Sequence, residues 1–127
     1  MPDGITNLHS TFYNCSKLTT LEANLETVIN LNRTFYNCKS LSKVPYMPNL
    51  EIVDKYSFYG CINLLQLNIY KKLTTFAEDA LSNCTNLTDI YVPWSEGEVT
   101  GAPWGASNAI VHYNTQFDEK HNPIIAE

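Results

Sequence analysis

Cysteine is the residue type in this chain most able to do chemistry, and its four copies stand at positions 15, 38, 61 and 84, each 23 residues after the last. Disulfide formation needs Cβ atoms about 3.8 Å apart and converging. Side chains repeated along stacked parallel strands instead stand in line, about 4.8 Å apart. Zinc prefers ligands in short pairs such as Cys-x2-Cys that wrap one ion, which a spacing of 23 does not provide. The spacing favours a third role: a small buried hydrophobe in the same slot of each repeat, compatible with a reducing compartment. His9, His112 and His121 have no acid or nucleophile at a telling distance. No Gly-rich phosphate loop, His-Glu-x-x-His helix, paired-Asp calcium loop or Gly-x-Ser-x-Gly elbow occurs. No catalytic residue, metal ligand or cofactor site is therefore assigned, and the chain reads as a non-enzyme.

The elements that hold these cysteines follow the same clock. Leu18, Leu41, Leu64 and Leu87 come three residues after each cysteine; Leu21, Val44, Leu67 and Ile90 come six after; Phe12, Phe35, Phe58 and Leu81 come three before. A fixed period of this length is the signature of a stacked repeat. Within one period, Leu64-x-x-Leu67-x-Ile69 ends with apolar residues two apart and predicts a short strand with one inward face. Leu73, Phe76 and Ala80-Leu81 predict a turn-rich or single-turn helical return on the opposite side. The rungs at Leu41–Cys61 and Leu18–Cys38 read alike, with Val28 and Leu31 shifted by one place. Asn14, Asn37, Gly60 and Asn83 precede the cysteines, and both residue types tolerate a tight-turn backbone. The expected fold is an α/β solenoid of about four 23-residue rungs, with short parallel strands, turn or short-helix returns and a C-terminal cap. No single rung buries its apolar face, so the stack must supply the core.

Composition narrows the partners. Thirteen acidic against eight basic residues give a net charge of −5, which argues against nucleic acid. No apolar run approaches a membrane span. Met1-Pro-Asp-Gly4 shows neither a basic nor an apolar signal segment, so the sequons at Asn14, Asn32, Asn83 and Asn86 read as incidental.

The pattern Leu-x-x-Leu-x-Ile…Leu-x-x-Phe-x-x-x-Ala-Leu-x-x-Cys over residues 64–84 resembles the 23-residue motif of BspA-like (Treponema-type) leucine-rich repeats. The resemblance covers roughly residues 4–93. It departs where the usual proline after the strand is Asn24, Met47 and Tyr70, returning only at Pro93, and where Ala-Phe becomes Thr-Phe, Ser-Phe or Ala-Leu. It implies a surface-presenting scaffold that binds proteins or cells. Leucine-rich repeats commonly bind through the concave strand face. Alternation along the strands points Thr20, Lys43, Gln66, Asp89 and Glu22, Pro45, Asn68, Tyr91 outward there. A second candidate surface is the aromatic ladder of Tyr13, Tyr36 and Tyr59, whose other role would be to shield the phenylalanines beneath.

The two ends differ. Residues 1–92 form the expected solenoid, with an incomplete first rung whose strand Leu18–Ala23 has an exposed edge. That edge would join a longer protein, another copy or a carrier. Residues 93–114 read as a cap carrying both tryptophans, Trp94 and Trp104, with Ile110–Tyr113 as a last strand beside Ile90–Val92. A ligand platform on the two indoles is the alternative. Residues 115–127 read as a flexible tail or short docking peptide. The stretch Val-Pro-Trp-x-Glu-Gly-Glu-Val…Ala-Pro-Trp-Gly-Ala-x-Asn-Ala…Tyr is similar to the close of BspA-like repeat proteins of bacteriophages and prophages. That similarity implies a tail or capsid protein on a virion, or a bacterial surface protein, in host recognition. It implies protein or cell-surface glycan as partner. Structural assembly and a cytoplasmic location are the competing expectations.

Overall fold

Four residues at equal spacing set the corner of every rung. Asn14, Asn37, Gly60 and Asn83 all take a left-handed backbone, with φ of 59°, 55°, 74° and 61°. Asn and Gly reach that region at least cost, so the chain turns at the same point in each rung. The computed structural model describes residues 6–21 and 25–125. Ile5, Glu22, Ala23 and Asn24, singled out in the sequence, lie outside the described residues.

Two parallel ladders run along the stack. The strands are β1 (Asn30–Leu31), β2 (Ile52–Val53), β3 (Gln66–Asn68), β4 (Thr75–Phe76), β5 (Asp89–Tyr91), β6 (Ile110–His112), β7 (Gln116–Phe117) and β8 (Pro123–Ile124). One sheet has the order β1-β2-β4 and another β3-β5-β6, both parallel; β7 and β8 form an antiparallel hairpin. The architecture is a repeat solenoid built from strands and turns. No helix forms among the described residues, which corrects the helical part of the expected α/β class. Leu31, Val53 and Phe76, each three residues after an apolar neighbour (Val28, Leu50, Leu73) as on a helix face, instead face inward from paired extended segments. The turn segments between the strands also pair from rung to rung, Phe12 N–H with the Thr34 carbonyl and Phe35 N–H with that of Ser57, so their backbone groups are satisfied without a helix.

A second correction concerns the rung at 41–46, which forms no regular strand. Pro45 has no N–H to offer a ladder. It is also buried, not outward as expected, while Tyr46, which the alternation placed inward, is 36% exposed. A one-residue slip exchanges the two faces of an extended segment. The slip is local. Leu41 to Leu64 before it and Val53 to Phe76 after it both span the regular 23 residues; the 22 between Leu31 and Val53 is the one-place shift of Val28 and Leu31 in the rung before.

The core is a set of columns. Leu41, Leu64 and Leu87 are fully buried, as are Phe35 and Phe58, whose rings stack with centroids 5.4 Å apart and planes 11° apart. Phe12 continues the column at 5.4 Å. Cys38, Cys61 and Cys84 are free and buried, whereas Cys15 is half-buried. Each buried thiol donates to the carbonyl of a phenylalanine in the preceding rung: Cys38 to Phe12 at 3.1 Å, Cys61 to Phe35 at 3.2 Å and Cys84 to Phe58 at 3.0 Å. Hydroxyls do the same nearby, Thr34 to Leu8 at 2.7 Å and Ser57 to Leu31 at 3.2 Å. The repeated cysteine thus fills apolar space and satisfies a carbonyl. At the far end Trp104 is buried against Phe76, with rings 4.0 Å apart and nearly parallel, and Trp94 meets it edge-on.

Candidate functional site

Parallel register places Gln66, Asp89 and Ile110 in one row of the strand face, and Asn68, Tyr91 and His112 in another. Between them Leu67 and Ile90 point into the core. Gln66 Nε2 donates to Asn68 Oδ1 at 3.0 Å, and Asn68 Nδ2 to Tyr70 Oη at 3.4 Å. Farther along, the Tyr91 ring stacks on the His112 imidazole at 4.4 Å, and His112 Nε2 lies 2.8 Å from Asp89 Oδ1. An ionised carboxylate only accepts, so Nε2 carries the proton of that bond. The bond from His112, then that from the Thr88 hydroxyl, holds the Asp89 carboxyl below its ordinary pKa.

After β6 the chain doubles back as the β7–β8 hairpin. Thr115 N–H bonds to the Val92 carbonyl at 2.9 Å. Asp118 shapes the turn by accepting from the N–H groups of Lys120 and Asn122 at 2.8 and 3.0 Å. His121, at φ 68°, then lies flat on Tyr46 with centroids 3.7 Å apart. Tyr70 donates to the His121 carbonyl at 3.0 Å, packs on Phe117 at 4.5 Å and meets Tyr46 edge-on at 4.9 Å. Burial raises the pKa of the Tyr70 phenol. Where the sequence predicted a tail, residues 115–125 carry a hairpin set against the strand side.

Hairpin and strand face together enclose a groove of about 410 Å³, whose lining includes Lys43, Tyr46, Gln66, Asn68, Tyr70 and Lys120. That volume lies in the range of ligand clefts, roughly 300–1,000 Å³. Its walls are aromatic and its floor carries amides. No described carboxylate lines it.

On another side of the stack Tyr13, Tyr36 and Tyr59 form a continuous stack, with centroids 4.6 and 4.9 Å apart and planes within 10°. Tyr56 closes edge-on against Tyr36 and Tyr59, under the Arg33 guanidinium 5.4 Å from its centroid. Asn83 Nδ2 donates to Tyr59 Oη at 2.8 Å, where the aromatic column gives way to Ser82.

A family model described as the BspA type leucine rich repeat region (6 copies) matches residues 1–101. The chain belongs to the BspA-type leucine-rich repeat family. Repeats of this family generally mediate protein–protein binding, and the family is typically a non-catalytic binding module. No curated protein and no solved structure matches the chain. Among the described residues no three His, Cys, Asp or Glu side chains are grouped to hold a metal ion, and no helix is long and apolar enough to cross a membrane.

In this BspA-type chain the predicted strand-face residues fall into three groups. Lys43, Gln66 and Asn68 come together in the groove. Asp89 and Tyr91 sit farther along the same face, engaged with His112. Thr20 is exposed outside the groove, and Glu22 lies outside the described residues. Tyr46, Tyr70, Lys120 and His121 were not legible as site residues. The hairpin that brings Lys120 and His121 across lies beyond the repeat, and Tyr46 reaches the surface only through the slip at Pro45.

Proposed function

We propose that this protein is a non-catalytic binding module whose groove on the strand face receives a segment of a partner protein. The observation that carries this reading is the wall: the hairpin, fixed by His121 on Tyr46, turns an open strand face into a cleft with amides on its floor and tyrosines at its sides. Such a cleft suits an extended segment, whose main chain the Gln66 and Asn68 amides can engage. Tyr46 and Tyr70 would supply contact area at low entropic cost. The buried Trp94 and Trp104 close the end of the stack as a cap in this reading, and the expected setting is adhesion at a phage or bacterial surface. That setting is an expectation from the sequence pattern of residues 92–113.

Selection from a displayed library of random peptides tests the reading. Selected peptides should lose binding to the Gln66→Ala/Asn68→Ala variant and keep it with Tyr13→Ala. Peptides insensitive to the groove variant but lost with Tyr13→Ala would move the site to the tyrosine stack, the second surface this fold offers. That surface is favoured by the 44% exposure of Tyr13.

A further inference from the structure

Lys43 and Lys120 reach the same groove from different parts of the fold, one from the repeat and one from the hairpin turn. Neither ammonium makes an ion pair with a described residue, whereas Lys71 pairs with Glu51, Lys72 with Glu98 and His112 with Asp89. The chain as a whole is acidic, with a net charge of −5. Even so, the groove collects two cations, His121 and a set of amide and hydroxyl donors, while no described carboxylate lines it. An uncompensated pair of ammonium groups beside N–H and O–H donors is complementary to an anion, and within a partly enclosed cleft the attraction is screened less than on open surface. The two tyrosines add apolar walls that suit a flat or aliphatic stem behind the charge.

We propose that the groove selects acidic peptide segments, with a Glu or Asp carboxylate of the partner held between the ammonium groups of Lys43 and Lys120. This rests on the protein-binding reading and adds the chemistry of the ligand. The hairpin then has a defined role: it delivers the second cation and the His121 ring that packs on Tyr46, so the binding site exists only when the strand face and the hairpin are together.

The test uses the full chain and three probes: a short peptide with two adjacent glutamates among neutral residues, the same peptide with glutamines, and free glucuronate. Calorimetric titration should show the glutamate peptide binding at least about tenfold more tightly than the glutamine peptide, a difference of about 1.4 kcal/mol. Added salt should shrink the preference. Lys43→Gln/Lys120→Gln should erase it; both side chains are exposed, so the fold is left intact. Equal binding of the two peptides, no binding by the glutamate peptide, or a preference that survives the double substitution overturns the proposal. Glucuronate binding as tightly as the peptide overturns the commitment to a protein ligand and assigns the site to acidic glycan. Library peptides that depend on Gln66 and Asn68 yet carry no acid bring down this inference alone. A library without any groove-dependent peptide brings down the underlying reading as well.

Discussion

The imidazole of His121 lies on the ring of Tyr46, with centroids 3.7 Å apart and planes 14° apart, and this contact joins the C-terminal hairpin to the repeat. An aromatic pair contributes about 0.5–1.5 kcal/mol beyond its buried area. His121→Ala should therefore weaken the hairpin's seat without unfolding the stack. The expected outcome is faster amide exchange at Asp118, whose N–H bonds to the Asn122 carbonyl at 2.9 Å, with unchanged exchange at Ile90 inside β5. Equal exchange at Asp118 in both proteins would show that the stack does not hold the hairpin.

The thiols should divide three to one. Burial foremost pushes the Cys38 thiol up to about 11, and contact with the Cys84 thiol together with burial raises that of Cys61. The thiolate is the reactive form, so these two sites should be inert near neutral pH; the same contact lowers the Cys84 thiol, and burial is what keeps that third site slow. Cys15 is only half-buried and should react first. Thiol titration of the native protein should show one fast and three slow groups, and four in denaturant. A disulfide between neighbouring rungs would contradict the hydrogen-bonded column.

Two substitutions probe the stack from core and corner. Leu64 is fully buried, and Leu64→Ala should cost roughly 2–5 kcal/mol, as truncation of buried leucine does. Gly60 turns at φ 74°, and a Cβ there would run into the Asn37 side-chain oxygen. Gly60→Ala should cost about 1–2 kcal/mol from the left-handed backbone, besides displacing that amide. Denaturant unfolding measures both; a loss under about 1 kcal/mol for Leu64→Ala would mean the leucine column does not carry the core.

Asp89 sets an acid-side pH dependence. Its folded pKa lies below the unfolded value, so its contribution is present above the ordinary carboxylate pKa of about 3.9 and is lost as pH falls through the lower folded value. Both partners are over a third exposed, so solvent screening keeps the effect below about 1 kcal/mol. Asp89→Asn should be less stable than the parent near neutral pH, and the gap should close at strongly acidic pH. A gap that persists there would assign the loss to packing rather than charge.

The columns were legible because period alone fixes them: Phe35, Cys61, Leu64 and the Asn corners follow from a 23-residue clock and the left-handed turn it requires. The last strand was legible as Ile110–Tyr113 beside Ile90–Val92, one residue away from the observed pairing of Ile110–His112 with Asp89–Tyr91. The return at Thr75–Phe76 was misjudged because two extended residues carry too short a pattern to separate strand from helix. The groove was only half legible. Lys43, Gln66 and Asn68 follow from alternation, whereas Tyr46 depends on a slip at Pro45. His121 and Lys120 depend on a hairpin that no repeat dictates.

Amide-exchange footprinting with a library-selected peptide bound tests the central claim most directly. Protection concentrated at Ser42–Lys43, Gln66–Asn68 and Lys120–Asn122, with none added around Tyr13, Tyr36 and Tyr59, is the predicted result. Protection along the tyrosine stack, with the groove residues exchanging as in the free protein, would contradict it.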